Sequence, residues 1–406
     1  MYSKPDQRLF HLLNLALRKV TIQEGKFNFH DSLDELLRFS NEFSKNKPNI
    51  ISWMDIAFHF ISEVQNFAPP KNFSGTFSEL VPPKDLQIFQ KKVFGFFNSL
   101  PFTYEFLIPF PWFSEFKSDE FNLYDDFSIT RAPKNLKKAG KYNSLLDSLN
   151  IKSEPKTPLF FLRVFSKGFS DFGMDSSACS NALSKFKPIF QYCIAQGLLV
   201  SLKVGEKGLG FDEYCNIHFR IANEDNNFSV IELPDQFRQF VLGFRPEIKH
   251  SKFQSEYYRM VLGGKNGDPE IFAEISKPIF KLLLLKESFR PPLSSILNAL
   301  EWQFNSNLFS DHNISFINVC IALEAVLGDD KIPEKITEQL ADRCALIIAD
   351  SILERAKIKE RFKKLYSVRS QIIHGRKREL APEERKYLDM GRYFLNKIIL
   401  KEMTKI

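Results

Sequence analysis

Cysteine is scarce in this chain and poorly placed for cross-linking. The five residues, Cys179, Cys193, Cys215, Cys320 and Cys344, are odd in number, far apart and free of any CxxC spacing. That argues against a disulfide framework or a zinc site and suits a reducing cytoplasm. Long apolar runs are missing too. The longest, "IFKLLLLKESF", falls well short of the roughly 20 residues that span a bilayer, so no membrane partner is expected. The first residues, "MYSKPDQRLFHLL", lack the charged-then-apolar layout of a signal peptide. A cytoplasmic location is therefore expected. No internal repeat is evident.

Chemical motifs are thin as well. The glycine-rich "GEKGLG" at 205–210 lacks the spacing of a phosphate loop and reads as a hairpin turn. Asp125 and Asp126 are adjacent, so on a strand they point to opposite faces and make no carboxylate pair. His11, His30, His59, His218 and His312 have no partners at metal-ligand spacing and read as structural. No metal and no cofactor is expected.

The composition that remains, 44% hydrophobic and 26% charged over 406 residues, is that of a globular protein of two or three domains. The 43 phenylalanines read as a compositional bias rather than a functional signal. The net charge of +7 is unevenly placed. From Arg355 onward there are 16 Lys/Arg and 6 Asp/Glu, or +10, which leaves −3 on the preceding 354 residues. A basic end on a slightly acidic body points to an anionic partner, nucleic acid being the common one.

Periodicity predicts an α+β multidomain protein in three segments. Residues 1–100 form an N-terminal helical region, where "DSLDELLRFSNEFSK" and "PPKDLQIFQKKVFGFFNSL" repeat apolar residues every three or four positions. Residues 101–285 form a mixed α+β domain with a linker; short aromatic or β-branched stretches such as "PLFFLRVFSKGFSDF" surround one helix, "NALSKFKPIFQYCIAQGLL". The turn-rich "LGGKNGDPE" at 262–270 leads out of it. Residues 286–406 form an all-α bundle, with helices expected at about 292–309, 313–328, 333–350, 355–374 and 382–403. "SDHN" supplies N-cap candidates for the second helix and Gly328 its end.

One stretch of the bundle carries chemistry. In "LYSVRSQIIHGRKRE", Arg369 falls in the middle of the apolar stripe of its helix, among Ile358, Phe362, Leu365, Ile372 and Ile373. A charge there needs a partner. Glu324, on the apolar side of "FINVCIALEAVLG", is the candidate. Periodicity alone leaves a structural ion pair and a functional site equally open. His374 lies about 140° around the helix from Arg369, towards Tyr366 and Ser370. A histidine at the carbonyl end of a helix suits proton transfer near neutral pH. Arg376, Lys377 and Arg378 behind it offer phosphate contacts. One straight helix does not aim Arg369 and His374 at one point, so either its end unwinds or two copies share the site. A second arginine at this spacing, Arg245 before His250, is followed by Pro246 and reads as coincidence.

Four stretches, "ALEWQF" (299–304), "FINVCIALEAVLGDDK" (316–331), "ITEQLADRCALIIAD" (336–350) and "KKLYSVRSQIIHGRK" (363–377), resemble in order the helices of Apea-like HEPN domains. The resemblance covers about 291–404. It implies a helical bundle, typically dimeric, and in many members a metal-independent endoribonuclease with an R-x4-6-H motif, used in toxin–antitoxin and phage-defence systems. Carried over, Arg369 and His374 match that motif, Ser370 matches the polar residue after the arginine, and Glu324 the acidic residue of the preceding helix. The expected partners are RNA, contacted by Tyr366, Arg376, Lys377 and Arg378, a second copy through the bundle, and an antitoxin or trigger protein. The alternative is a HEPN bundle that binds nucleotide or RNA, or dimerises, without cutting.

Overall fold

The computed structural model describes residues 4–47, 50–67, 69–113, 116–133, 159–170, 173–202, 215–224, 228–247, 268–285, 291–328 and 336–405. The protein is mixed α/β with a helical C-terminal region. The stretch 205–210 and most of 262–270 lie outside the described residues. Packing divides the chain into two compact units. One comprises Met1–Glu105, Phe165–Ala182 and Phe219–Ser229; the other comprises Phe106–Val164, Leu183–His218 and Val230–Ile406. Residues 101–285 fall partly in each unit, and 230–406 lies within the second.

The first unit begins with helix α1 (Lys4–Lys19) and the hairpin β1 (Thr21–Gln23) and β2 (Lys26–Asn28). Helices α2 (Leu33–Asn46) and α3 (Trp53–Gln65) follow, then β3 (Gly75–Thr76), which pairs with β1, and α4 (Phe77–Leu80) and α5 (Pro83–Ser99). Helix α3 starts where the sequence supplies a reciprocal cap: the Ser52 hydroxyl accepts from the Asp55 N–H at 3.1 Å, and the Asp55 carboxylate accepts from the Ser52 N–H at 3.0 Å. Phe39, Phe43, Phe60, Phe77, Phe94 and Phe97 are fully buried in the core between these helices. Phenylalanine, abundant by composition, is here the packing material.

His59, on α3, stacks on Phe96 with ring centroids 3.7 Å apart. Burial pulls its pKa down from 6.5 to about 4, and the nearby Glu63 opposes the shift only in part. Between those two values the unfolded chain holds a proton that the folded chain does not. Stability present above pH 6.5 is therefore lost as the pH falls towards 4. Replacing His59 with Phe is expected to flatten that fall, as read from urea midpoints measured across the same pH range.

From residue 102 the chain is α/β. The elements are β4 (Phe102–Pro109), β5 (Glu120–Tyr124), β6 (Phe127–Arg131), β7 (Phe160–Gly168), α6 (Ser177–Ala195), β8 (Leu199–Ser201), β9 (Ile217–Ile221), β10 (Ser229–Ile231), α7 (Asp235–Leu242) and β11 (Phe244–Pro246). Six strands form one sheet in the order β10-β9-β4-β7-β6-β5, and β8 pairs antiparallel with β11. In the second unit β6 lies antiparallel to both neighbours, with Ile129 opposite Phe121 and Leu162. Asp125 and Asp126 are exposed in the turn between β5 and β6, Asp125 at φ 38°, and not within a strand as expected.

Helix α8 (Asp268–Leu285) is not among the expected elements, and it carries Pro278 inside. Proline removes one helical hydrogen bond. Aromatic packing outweighs that loss: Phe272 meets Trp112 at 5.1 Å, and Phe280 meets Phe127 at 5.0 Å.

The C-terminal region consists of α9 (Pro291–Ser306), α10 (His312–Leu327), α11 (Ile336–Ile348), α12 (Ile352–Ile373) and α13 (Lys386–Met403). These match the expected helices to within a few residues, except that the first turn expected at 382 is a short 3-10 turn, Pro382–Glu384. Phe304 of α9 packs against Phe186 and Phe190 of α6 and Phe237 and Phe240 of α7, which ties the bundle to the α/β part of its unit. Helix α10 is apolar nearly all round and runs through the middle, with Phe316, Val319, Cys320, Ala322 and Leu323 fully buried. Asp311 caps it, accepting from the N–H groups of Asn313 at 2.7 Å and Ile314 at 3.3 Å. Helix α13 crosses it closely at Gly391, where a Cβ would stand 2.7 Å from Val319 Cγ1. Val319 is stiff and cannot swing aside. Gly391→Val should therefore destabilise the protein by about 1–3 kcal/mol through overpacking, measured by chemical denaturation.

Candidate functional site

The site is built on two helices. Glu324 lies near the end of α10, one turn after Cys320. Tyr366 and Arg369 lie three residues apart on α12, a spacing that turns both towards one side. Arg369 Nη2 meets Glu324 Oε1 at 2.9 Å, and the Tyr366 hydroxyl donates to the same oxygen at 3.1 Å. The same hydroxyl lies 3.5 Å from the Cys320 carbonyl. The ring of Tyr366 stacks on Phe362 at 4.8 Å. One carboxylate therefore holds both a guanidinium and a phenol.

Two features differ from the sequence reading. The Arg369–Glu324 pair is not sealed, since each side chain keeps 28% of its surface exposed. Tyr366, expected among the RNA contacts on the His374 side, is instead buried beside Arg369. Three helical steps leave it only about 60° from Arg369, so it shares the side that meets α10. Burial and the Glu324 charge push the Tyr366 phenol well above its ordinary range, so it acts as a hydrogen-bond donor and not as an acid. Burial likewise pushes the Cys320 thiol up, which removes it as a nucleophile.

His374 closes the same helix. Its backbone N–H still donates to the Ser370 carbonyl at 3.0 Å, so α12 does not unwind before it. The chain leaves the helix at Gly375, whose φ of 66° is a backbone conformation that favours glycine. His374 and Ser370 are both exposed. The His374 side chain has no partner among the described residues, and Arg369 is drawn to Glu324 instead. Within one copy the two motif residues do not hydrogen-bond to each other.

The basic stretch is divided. Arg376 and Arg378 are exposed. Lys377 is half-buried and pairs with Glu384, whose carboxyl that lysine holds below the usual range. The backbone of 378–380 is clamped to the start of α10: Asn313 Nδ2 donates to the Arg378 carbonyl at 3.3 Å, and Asn313 Oδ1 accepts from the Leu380 N–H at 2.7 Å. Sequence reading missed Asn313 and Glu384. Asn313 lay among the cap candidates of "SDHN", and Glu384 followed Lys377 only through a turn. It also passed over Arg392 of α13, a half-buried guanidinium whose pKa burial lowers despite Asp389 nearby.

Among the described residues no three His, Cys, Asp or Glu side chains gather as a metal cluster, and no helix is long and apolar enough to cross a membrane. Comparison with families of known proteins, curated proteins and solved structures gives no match.

Removing the shared carboxylate tests how the site is held. Glu324→Ala leaves Arg369 and Tyr366 without their acceptor. Water reaches this pair, so the expected loss is about 1–3 kcal/mol, below that of a sealed ion pair. Tyr366→Phe should lose about 1 kcal/mol. The double variant should lose less than the two singles together, because both act on one oxygen. Denaturation curves of the three variants give the coupling directly.

Proposed function

We propose that this protein is a metal-independent endoribonuclease of the HEPN type, a toxin or phage-defence effector that cleaves RNA through the 2′-hydroxyl. The observation that carries the reading is the end of α12. A guanidinium is fixed there by Glu324, an exposed imidazole terminates the helix five residues on, and two exposed arginines, Arg376 and Arg378, follow. RNA brings its own nucleophile. His374 would take the proton from the 2′-hydroxyl as that oxygen attacks phosphorus, and protonation of the departing 5′-oxygen completes the cleavage. Arg369 would stabilise the charge developing on the phosphate. Glu324 occupies one terminal nitrogen of the guanidinium; the other has no partner among the described residues and is the donor left for phosphate. Glu324 is thus a positioning residue. Ser370 stands exposed between the two motif residues.

The site is completed by a second copy in this reading. Ile373, 50% exposed beside His374, is an apolar surface that a dimer would cover. A separate antitoxin or trigger protein would hold the nuclease in check. The second reading is an RNA- or nucleotide-binding bundle that does not cut. The ion pair favours it to the extent that Arg369 is already partnered.

The test is incubation of purified protein with single-stranded or looped RNA. Products with a 2′,3′-cyclic phosphate and a 5′-hydroxyl are expected, formed equally with or without chelator. His374→Ala should lose about 10²–10⁴ in rate while retaining RNA binding. A 2′-deoxy nucleotide at the scissile position should block cleavage. Binding without cleavage by the unaltered protein would leave the adaptor reading standing.

A further inference from the structure

The first unit holds a cavity of about 630 Å³ that the nuclease reading does not use. Its size is that of a small-molecule site, for which about 300–1,000 Å³ is usual. Six rings line it: Phe58, His59, Phe96, Tyr104, Phe169 and Phe219. Among them stand polar groups, Asp55, Ser62, Gln65, Ser170, Arg220 and Ser229.

Arg220, the cation of this lining, is already paired. Arg220 Nε meets Glu105 Oε2 at 2.6 Å, and its guanidinium lies 4.6 Å from the centre of the Phe228 ring. Asp55 accepts from Ser52, both backbone and hydroxyl. His59 is neutral at physiological pH, as derived above. Arg220 is shared with Glu105, so an anion gains less there than at a free guanidinium, and a cation would meet only Asp55, which Ser52 already holds. A purely aliphatic ligand would leave Ser62, Gln65 and the terminal nitrogens of Arg220 facing it without partners, and those nitrogens have none among the described residues. Flat apolar walls with a few edge donors and acceptors fit a flat, uncharged ring that carries donors and acceptors on its own edge.

We infer that this cavity binds a neutral planar heteroaromatic ring of the nucleobase or nucleoside class. The rings supply stacking surfaces, and Gln65, Ser62 and Arg220 read the edge of the bound ring. The site lies within the first unit and stands or falls apart from the chemistry of Arg369 and His374.

Calorimetric titration of the full chain with adenosine, guanosine, cytidine and uridine tests it. At least one should bind, and Phe58→Ala and Gln65→Ala should each weaken that binding about tenfold or more. Phe58 is 65% exposed and Gln65 is exposed, so neither variant threatens folding. His374→Ala should bind as the unaltered protein does. The 5′-monophosphate should bind no more tightly than its nucleoside. The inference is overturned if no nucleoside binds up to about 5 mM. It is also overturned if both cavity variants bind unchanged, if His374→Ala abolishes binding, or if the phosphate tightens it. Failure of nucleosides to bind leaves RNA cleavage untouched, and loss of cleavage in His374→Ala leaves nucleoside binding untouched, so the two readings fail separately.

Discussion

Glu324 stands in the otherwise apolar second half of α10, and a carboxylate in that position has to be met. Tyr366 and Arg369 meet it together, one with a hydroxyl and one with a guanidinium, on the same oxygen. Because they sit three residues apart, their joint contact sets the rotation of α12 against α10. That rotation decides what the rest of α12 does. Ile358, Phe362, Leu365 and Val368 turn inwards, and Ser370 and His374 turn out. The exposed imidazole thus lies on the side of α12 that its buried residues and the Glu324 contact leave to solvent.

Separate contacts shape the chain beyond the helix. Gly375 turns the backbone out of α12, Asn313 ties 378–380 back to the head of α10, and Glu384 takes up Lys377. A run of three basic residues in sequence becomes two outward arginines and one inward lysine. Clusters of like charge are usually read as one patch. Here local hydrogen bonds sort them, which narrows the charge available to an anionic ligand to Arg376 and Arg378 together with what Arg369 leaves free.

Phenylalanine does different work in different places. In the first unit it fills the space between α1, α2, α3 and α5, and the rings that are left incompletely packed border a cavity. In the second it fastens α8 to the sheet and α9 to α6 and α7. A flat ring buries much area for little loss of side-chain freedom, so a sequence rich in it can build cores with few other large residues. A composition that carried no functional message by itself leaves a ring-lined cavity where the side chains do not close on one another.

Long amphipathic helices with caps were legible in the sequence, because their periodicity and end signals are local; α9 to α13 and their order fall in this class. The need of Arg369 for a partner, and Glu324 as the candidate, were also legible, since a charge on an apolar stripe is visible from spacing alone. Helix α8 was not read from the sequence, and the rings that hold it come from residues more than a hundred positions earlier. Tyr366 could not be placed, because a residue 60° from a stripe belongs to either side until the neighbouring helix is known. The cavity was invisible for the same reason: Phe58, Phe169 and Arg220 have no relation in sequence. Sequence determined which segments of the C-terminal region are helical and which charge needed an answer. Only tertiary structure decided which face each helix turned to its neighbours, because that depends on contacts between segments that no local pattern encodes.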